Sequence, residues 1–224
     1  MAVKTHMLPD GDLLLKAKWG RTGTFLDYED VKAYFDAWAR HPDTDVAGSV
    51  SYEADLSDCY FGPRVVAELL LAELDSRKKR ILDIGCGTGL VGLPLIEAGH
   101  ALYGVDLSRE MLELAVDKEY ADVYAGNVLV DTLPWRSEFD ALVSVGVIGE
   151  WVPAIPLLER TIVHLAESSV IALSLETTHS DPRGIADFLA GNGFRVTHLS
   201  KQLGLVHPAY EQEHYYYLVA SRHG

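Results

Sequence analysis

Between Ile81 and Gly92 the chain reads ILDIGCGTGLVG, an apolar run that ends on Asp83 and is followed by Gly85, Gly87 and Gly89 at alternating positions. A carboxylate at a strand end can accept hydrogen bonds from a cation. Glycines bring backbone N–H groups close to a ligand with no Cβ in the way, and the start of the next helix presents the positive end of its dipole to an anion. Together these features suit a small ligand that carries both an ammonium and a carboxylate. A second frame overlaps the first: from Gly87, GTGLVG satisfies the G-x-G-x-x-G of a dinucleotide loop. Such a loop usually follows a strand with no acid before its first glycine, so Asp83 favours the first frame. No Lys-Ser or Lys-Thr follows the glycines, which excludes a Walker loop. Cys86 lies within the loop as a small filler, with no His or second Cys placed to activate it.

A loop of this kind works only if strands and helices hold it, and the rest of the chain alternates accordingly. RILDI and ALYGVD read as strands around the helical LVGLPLIEAG, which stops at Gly99. Ser108 is an N-cap for SREMLELAVDKE, which places Met111, Leu112 and Ala115 on one face. ADVYAG and FDALVSV follow as strands, IPLLERTIVHLA as helix, SVIALSLE as strand and IADFLAGNG as helix. FRVTHLS and HYYYLVASR, joined by about a dozen residues without helical pattern, pair antiparallel. The expected fold is α/β and doubly wound: a mostly parallel seven-stranded sheet with an antiparallel C-terminal hairpin. Before it stand a helix carrying Val31, Tyr34, Phe35 and Trp38, and another starting at Pro63. The expected division is therefore an N-terminal helical cap, 1–62, and a ligand-binding domain, 63–224.

From about Pro63 onward the sequence resembles the class I S-adenosylmethionine-dependent methyltransferases. LDIGCGTG is similar to their first motif and GVDLSREMLELA to their second, in which an acid at the end of strand two holds the ribose hydroxyls; Asp106 occupies that place, with Leu107 after it. YAGNVLVDTLPW is similar to the third, where an acid that contacts adenine is usual; here Asn127 stands there, followed by Val128. The resemblance implies a Rossmann-like methyltransferase fold and S-adenosylmethionine as cofactor, with S-adenosylhomocysteine as product. The implied cofactor site is Asp83, Gly85, Cys86, Gly87, Gly89, Asp106, Leu107, Asn127, Val128 and Ser144. Among narrower groups the chain is similar to the Williams-Beuren-region methyltransferase-like proteins and other small-molecule methyltransferases. Two departures are visible. ESS, Glu167 to Ser169, replaces the family's Pro-Gly-Gly and is expected to alter only a turn. After strand four, Ser144 to Val147 stand where enzymes of exocyclic amines carry Asn-Pro-Pro-Tyr.

Methyl transfer asks mainly for in-line alignment and exclusion of water. A base is needed only for an acceptor that must lose a proton. The expected candidates, at the carboxyl ends of strands four and five or before the last strand, are Glu150, His179 and His207, with Glu176, Trp151, Tyr210 and His214 nearby. The chain has 224 residues, 48% hydrophobic, and a formal charge of −14. That charge predicts a small-molecule O or N acceptor and no nucleic acid. RKKR at Arg77 to Arg80 reads as a solvated helix end. Two cysteines without paired spacing suit a reducing compartment. The first residues have no apolar run long enough for a signal or a span. The expectation is a cytoplasmic monomer or homodimer with no membrane partner and no metal. Two rival functions are a chain that binds the cofactor without transferring its methyl, and a dinucleotide-dependent oxidoreductase.

Overall fold

The computed structural model of the chain describes residues 5–7, 13–15, 28–40, 52–56, 58–136, 139–149, 152–206 and 212–223. Strands β1 (Thr5–Met7) and β2 (Leu13–Leu15) pair antiparallel by themselves. Helices α1 (Tyr28–Arg40), α2 (Tyr52–Leu56) and α3 (Gly62–Glu73) follow. Then come β3 (Arg80–Ile84), α4 (Gly92–Glu97), β4 (Ala101–Asp106), α5 (Arg109–Val116), β5 (Asp122–Ala125) and β6 (Phe139–Ile148). The chain closes with α6 (Ala154–Thr161), β7 (Leu165–Glu176), α7 (Pro182–Gly191), β8 (Arg195–Leu205) and β9 (Glu213–Arg222).

The main sheet runs β5-β4-β3-β6-β7-β9-β8. β3 to β7 are parallel, and β9 inserts antiparallel between β7 and β8. This is the expected doubly wound sheet with its C-terminal hairpin. Both faces are covered, which is why β3, β6 and β7 read as apolar runs without polar alternation. Ile81, Ala141 and Val143 pack under α3, α4 and α5, while Leu82, Leu142 and Leu173 pack under α6 and α7. The first of these cores extends to Trp38 of α1 and Leu56 of α2. Among the described residues no helix is long and apolar enough to cross a membrane.

Local signals hold where they were strongest. Ser108 caps α5, its hydroxyl accepting from Met111 N at 3.1 Å, and Gly99 (φ +94°) and Gly193 (φ +82°) end their helices in the left-handed region. Two readings are corrected. Glu167–Ser169 does not form a turn: it lies inside β7, where pairing jumps from Phe139↔Leu165 to Ala141↔Val170, so the extra residues are taken up as a bulge. The link between β8 and β9 is shorter than a dozen residues, because both strands continue past their apolar runs.

Candidate active site

The carboxyl ends of the parallel strands open into one pocket. On one half of the sheet its floor is the glycine loop. Gly85 and Cys86 both donate backbone N–H bonds to Val105 O, at 2.7 and 3.1 Å, which ties the loop to the end of β4. Asp106 completes the tie: its Oδ2 accepts from Gly87 N at 2.8 Å and its Oδ1 from Ser108 N at 2.9 Å. Burial raises the Asp106 carboxyl, and the two backbone N–H groups oppose that rise. A Cβ on Gly87 would meet nothing within 4 Å, so the loop is bare toward open space, at a φ of +53° that favours glycine.

Of the ten expected cofactor residues, Gly85, Gly87, Asp106, Leu107, Asn127 and Val128 line this pocket. Asp83, Cys86, Gly89 and Ser144 lie behind it. Asp83 is fully buried; its Oδ2 accepts from Tyr120 OH at 2.6 Å and its Oδ1 has no hydrogen-bond partner among the described residues. Desolvation lifts its carboxyl to about 7 against the pull of the Tyr120 bond, with Asp106 adding to the rise. Cys86 is buried against the bare face of Gly104, and burial pushes its thiol up. Gly89 and Gly92 leave room for the Tyr120 ring. Ser144 donates to Ile84 O at 2.9 Å, and the next residues, Val145 to Gly149, face the pocket instead. Asn127 closes a local turn, its Oδ1 accepting from Leu129 N at 3.0 Å while its own N–H bonds Asp131.

On the other half of the sheet the pocket is walled by Glu176 at the end of β7 and by Glu213 and Tyr215 at the start of β9, and Tyr28, Phe35, Trp38 and Tyr52 of α1 and α2 also line it. In the sequence Glu176 stands only near the expected bases, and Tyr215 is simply part of the β-rich run HYYYLVASR. The missing signal was register, which sets Tyr215 opposite Glu176. Of the expected bases, His179 is exposed and outside the lining; its Nδ1 stands 3.2 Å from Glu176 Oε2. Glu150 and His207 lie outside the described residues, as do Trp151 and Tyr210.

Residues 81–167 match a family model described as methyltransferase domain. Two curated relatives each match a little over a third of the chain. The 18S rRNA (guanine-N(7))-methyltransferase of Bos taurus is 38% identical over 84 residues, 37% of this chain and 29% of that protein. The probable 18S rRNA (guanine-N(7))-methyltransferase of Dictyostelium discoideum is 35% identical over 85 residues, 38% of this chain and 29% of that protein. The match thus spans less than a third of either relative. The crystal structure of magnesium protoporphyrin IX methyltransferase from Synechocystis with bound SAM superposes with a TM-score of 0.64 at 20% identity, covering 90% of this chain and all of that one. Residues 81–167 carry a methyltransferase domain, set in the fold of the S-adenosylmethionine-dependent methyltransferases, and the dinucleotide reading of GTGLVG falls. Its cofactor is S-adenosylmethionine, which the bare cradle at Gly87 and the unpartnered buried oxygen of Asp83 fit.

One expectation is overturned. Relatives that act on 18S rRNA contradict the exclusion of nucleic acid as a partner. The exclusion rested on total charge, which sums the whole surface and says nothing of what a single cleft admits.

Proposed function

We propose that this protein transfers a methyl group from S-adenosylmethionine to a ring nitrogen of a flat nitrogen base, either free or carried in RNA. The observation that carries the reading is the continuity of the pocket: it runs without a break from Gly87 and Asp106 to Glu176 and Tyr215. A donor held at one end and an acceptor held at the other therefore share one water-poor space. The guanine named for the two curated relatives supports the acceptor class.

When bound, the cofactor supplies a sulfonium-activated methyl group, and the protein's own residues do the rest. Gly87 admits the methionyl part against bare backbone, while Gly85 makes room for Val147 beside it, with the Asp83 carboxylate beneath the loop offsetting the ammonium. Asp106 receives the ribose hydroxyls on lone pairs beyond its two backbone bonds, and Asn127 and Val128 border the adenine. Ser144, Cys86 and Gly89 act from behind by holding strand and loop in place. Residues 1–62 act as a cap through α1 and α2, whose aromatics line the same pocket. A neutral ring nitrogen has its lone pair available, so none of Glu150, His179 and His207 has to remove a proton.

The test is formation of S-adenosylhomocysteine by the purified protein with guanosine, and separately with small-subunit rRNA. Tight cofactor binding without product from either substrate would favour a chain that binds the cofactor without transfer. A second prediction concerns Asp106. Its replacement by Ala is expected to weaken S-adenosylhomocysteine binding by about 1.5–3 kcal/mol, the scale of hydrogen bonds to a charged group. The carboxylate also ties Gly87 to Ser108. The melting temperature should therefore fall as well. Unchanged affinity by calorimetry would place the ribose elsewhere.

A further inference from the structure

The acceptor half of the pocket has a built acidic end. Tyr215 OH donates to Glu213 Oε2 at 3.1 Å. Glu176 lies opposite Tyr215 across the β7–β9 ladder, and its Oε1 accepts from Thr178 OH at 2.6 Å. Two glycines exist in the form this arrangement needs. A Cβ on Gly149 would stand 2.4 Å from Glu176 Oε2, and one on Gly204 would stand 1.8 Å from the Tyr215 ring. These bonds and clearances fix the orientation of both carboxylates while they remain part of the lining. The same pocket is also lined by an aromatic cluster in which Phe35 and Trp38 stack at 6.3 Å and Trp38 meets Tyr52 edge-on at 4.8 Å.

From this geometry we infer that Glu176 and Glu213 are the specificity-determining residues for the acceptor, reading the N–H edge of a guanine-type base held in this aromatic-lined pocket. The inference rests on the methyltransferase reading above and extends it to the substrate's recognition. A carboxylate only accepts hydrogen bonds. Guanine offers adjacent N1–H and N2–H donors on one edge and an N7 lone pair on the opposite flank. With its N–H edge against Glu176 and Glu213, over β7 and β9, N7 points back toward the half of the sheet that carries Gly87 and Asp106. As the N7–methyl bond forms and the carbon–sulfur bond breaks, the electron pair of that bond returns to sulfur. The positive charge passes to the purine, with no proton released. Two fixed carboxylates beside a ring that gains positive charge stabilise that transfer. The same pair repels a carboxylate or a phosphate at this end, so a nucleotide enters base first.

The experiment is calorimetric titration of the S-adenosylhomocysteine-loaded protein with guanosine and with inosine, which lacks the N2 amino group, and then of Glu176→Gln and Glu213→Gln. Guanosine is expected to bind, inosine at least tenfold more weakly, and each Gln variant is expected to lose at least tenfold for guanosine with S-adenosylhomocysteine affinity unchanged. A guanine-containing single-stranded RNA oligonucleotide, run in parallel, distinguishes the sources of the base: tighter binding than guanosine indicates a base carried in RNA, and equal or weaker binding indicates the free compound. Absence of guanosine and oligonucleotide binding, equal affinity for inosine, or Gln variants that bind guanosine like the parent would each overturn the inference. The methyltransferase reading fails by a different sign: loss of S-adenosylhomocysteine binding by the unmodified protein.

Discussion

Asp83→Asn is expected to raise the stability of the ligand-free protein at pH 8 by about 1–3 kcal/mol, an unusual direction for a buried polar residue. The carboxyl of Asp83 is lifted to about 7 in the fold by desolvation, whereas in the unfolded chain it titrates near 4. Because the folded value is the higher one, the native state binds the extra proton between these two values. The contribution is complete below about pH 4 and is lost as pH rises through about 7. The swing is about 4 kcal/mol, since each pH unit across that window is worth about 1.4 kcal/mol. Asparagine never ionises. It can still accept from Tyr120 OH, but its amide nitrogen then takes the place of the Oδ1 that has no partner, which costs about 1–3 kcal/mol. The remainder is the predicted gain. At pH 5, where the parent carboxyl is protonated, the gain should vanish or reverse. Chemical denaturation at the two pH values reads both arms, and a variant less stable than the parent at pH 8 would mean that the buried carboxylate is already compensated. Binding of S-adenosylhomocysteine should weaken in the same variant. In the proposed site, a bound ammonium would offset the charge that costs the empty protein stability.

The sequence made legible what local chemistry encodes. Gly85, Gly87 and Asp106 reach the pocket because an alternating glycine loop and the acid that ends the next strand are read within one βαβ unit. Ser108 was readable because a cap is satisfied three residues away, at Met111. The partner of Asp83 was not readable, because Tyr120 sits 37 residues along the chain and reaches it through space that Gly89, Gly92 and Gly104 leave open. The place of Ser144 was not readable because regular alternation ends there. Pairing with β7 is regular from Ala141 to Ser144, which bonds Ile84 O behind the pocket, and then shifts before Ile148 with Gly146 at φ +71°, so Val145 to Gly149 all line the pocket. The acceptor end was the least legible part. Glu176, Glu213 and Tyr215 meet only because β9 runs antiparallel beside β7 in a fixed register, and Gly149 and Gly204 show their purpose only once their neighbours are in place.

Trp38→Ala is expected to destabilise the protein by about 3–5 kcal/mol, the usual range for removing a buried tryptophan. Trp38 is only 6% exposed and belongs to the same core as Val66, Leu70 and Met111, which joins α1 to α3 and α5. Removing its ring also deletes the stack on Phe35 and the edge contact with Tyr52. A second anchor runs from α2, where Glu53 pairs with Lys118 just past α5. These contacts argue that the proposed cap is packed down as a fixed roof, so its loss is felt globally. Denaturation followed by far-ultraviolet circular dichroism should then show a lower midpoint in a single transition. The opposite result would be an unchanged midpoint with weaker S-adenosylhomocysteine binding. That pattern would mean that α1 opens by itself while the sheet stays folded, because a segment that unfolds locally cannot withdraw more free energy from the whole than its own opening costs. Deleting residues 1–43 separates the two cases again: a fixed roof takes the sheet's stability with it, whereas a local lid leaves a folded sheet that no longer transfers methyl groups.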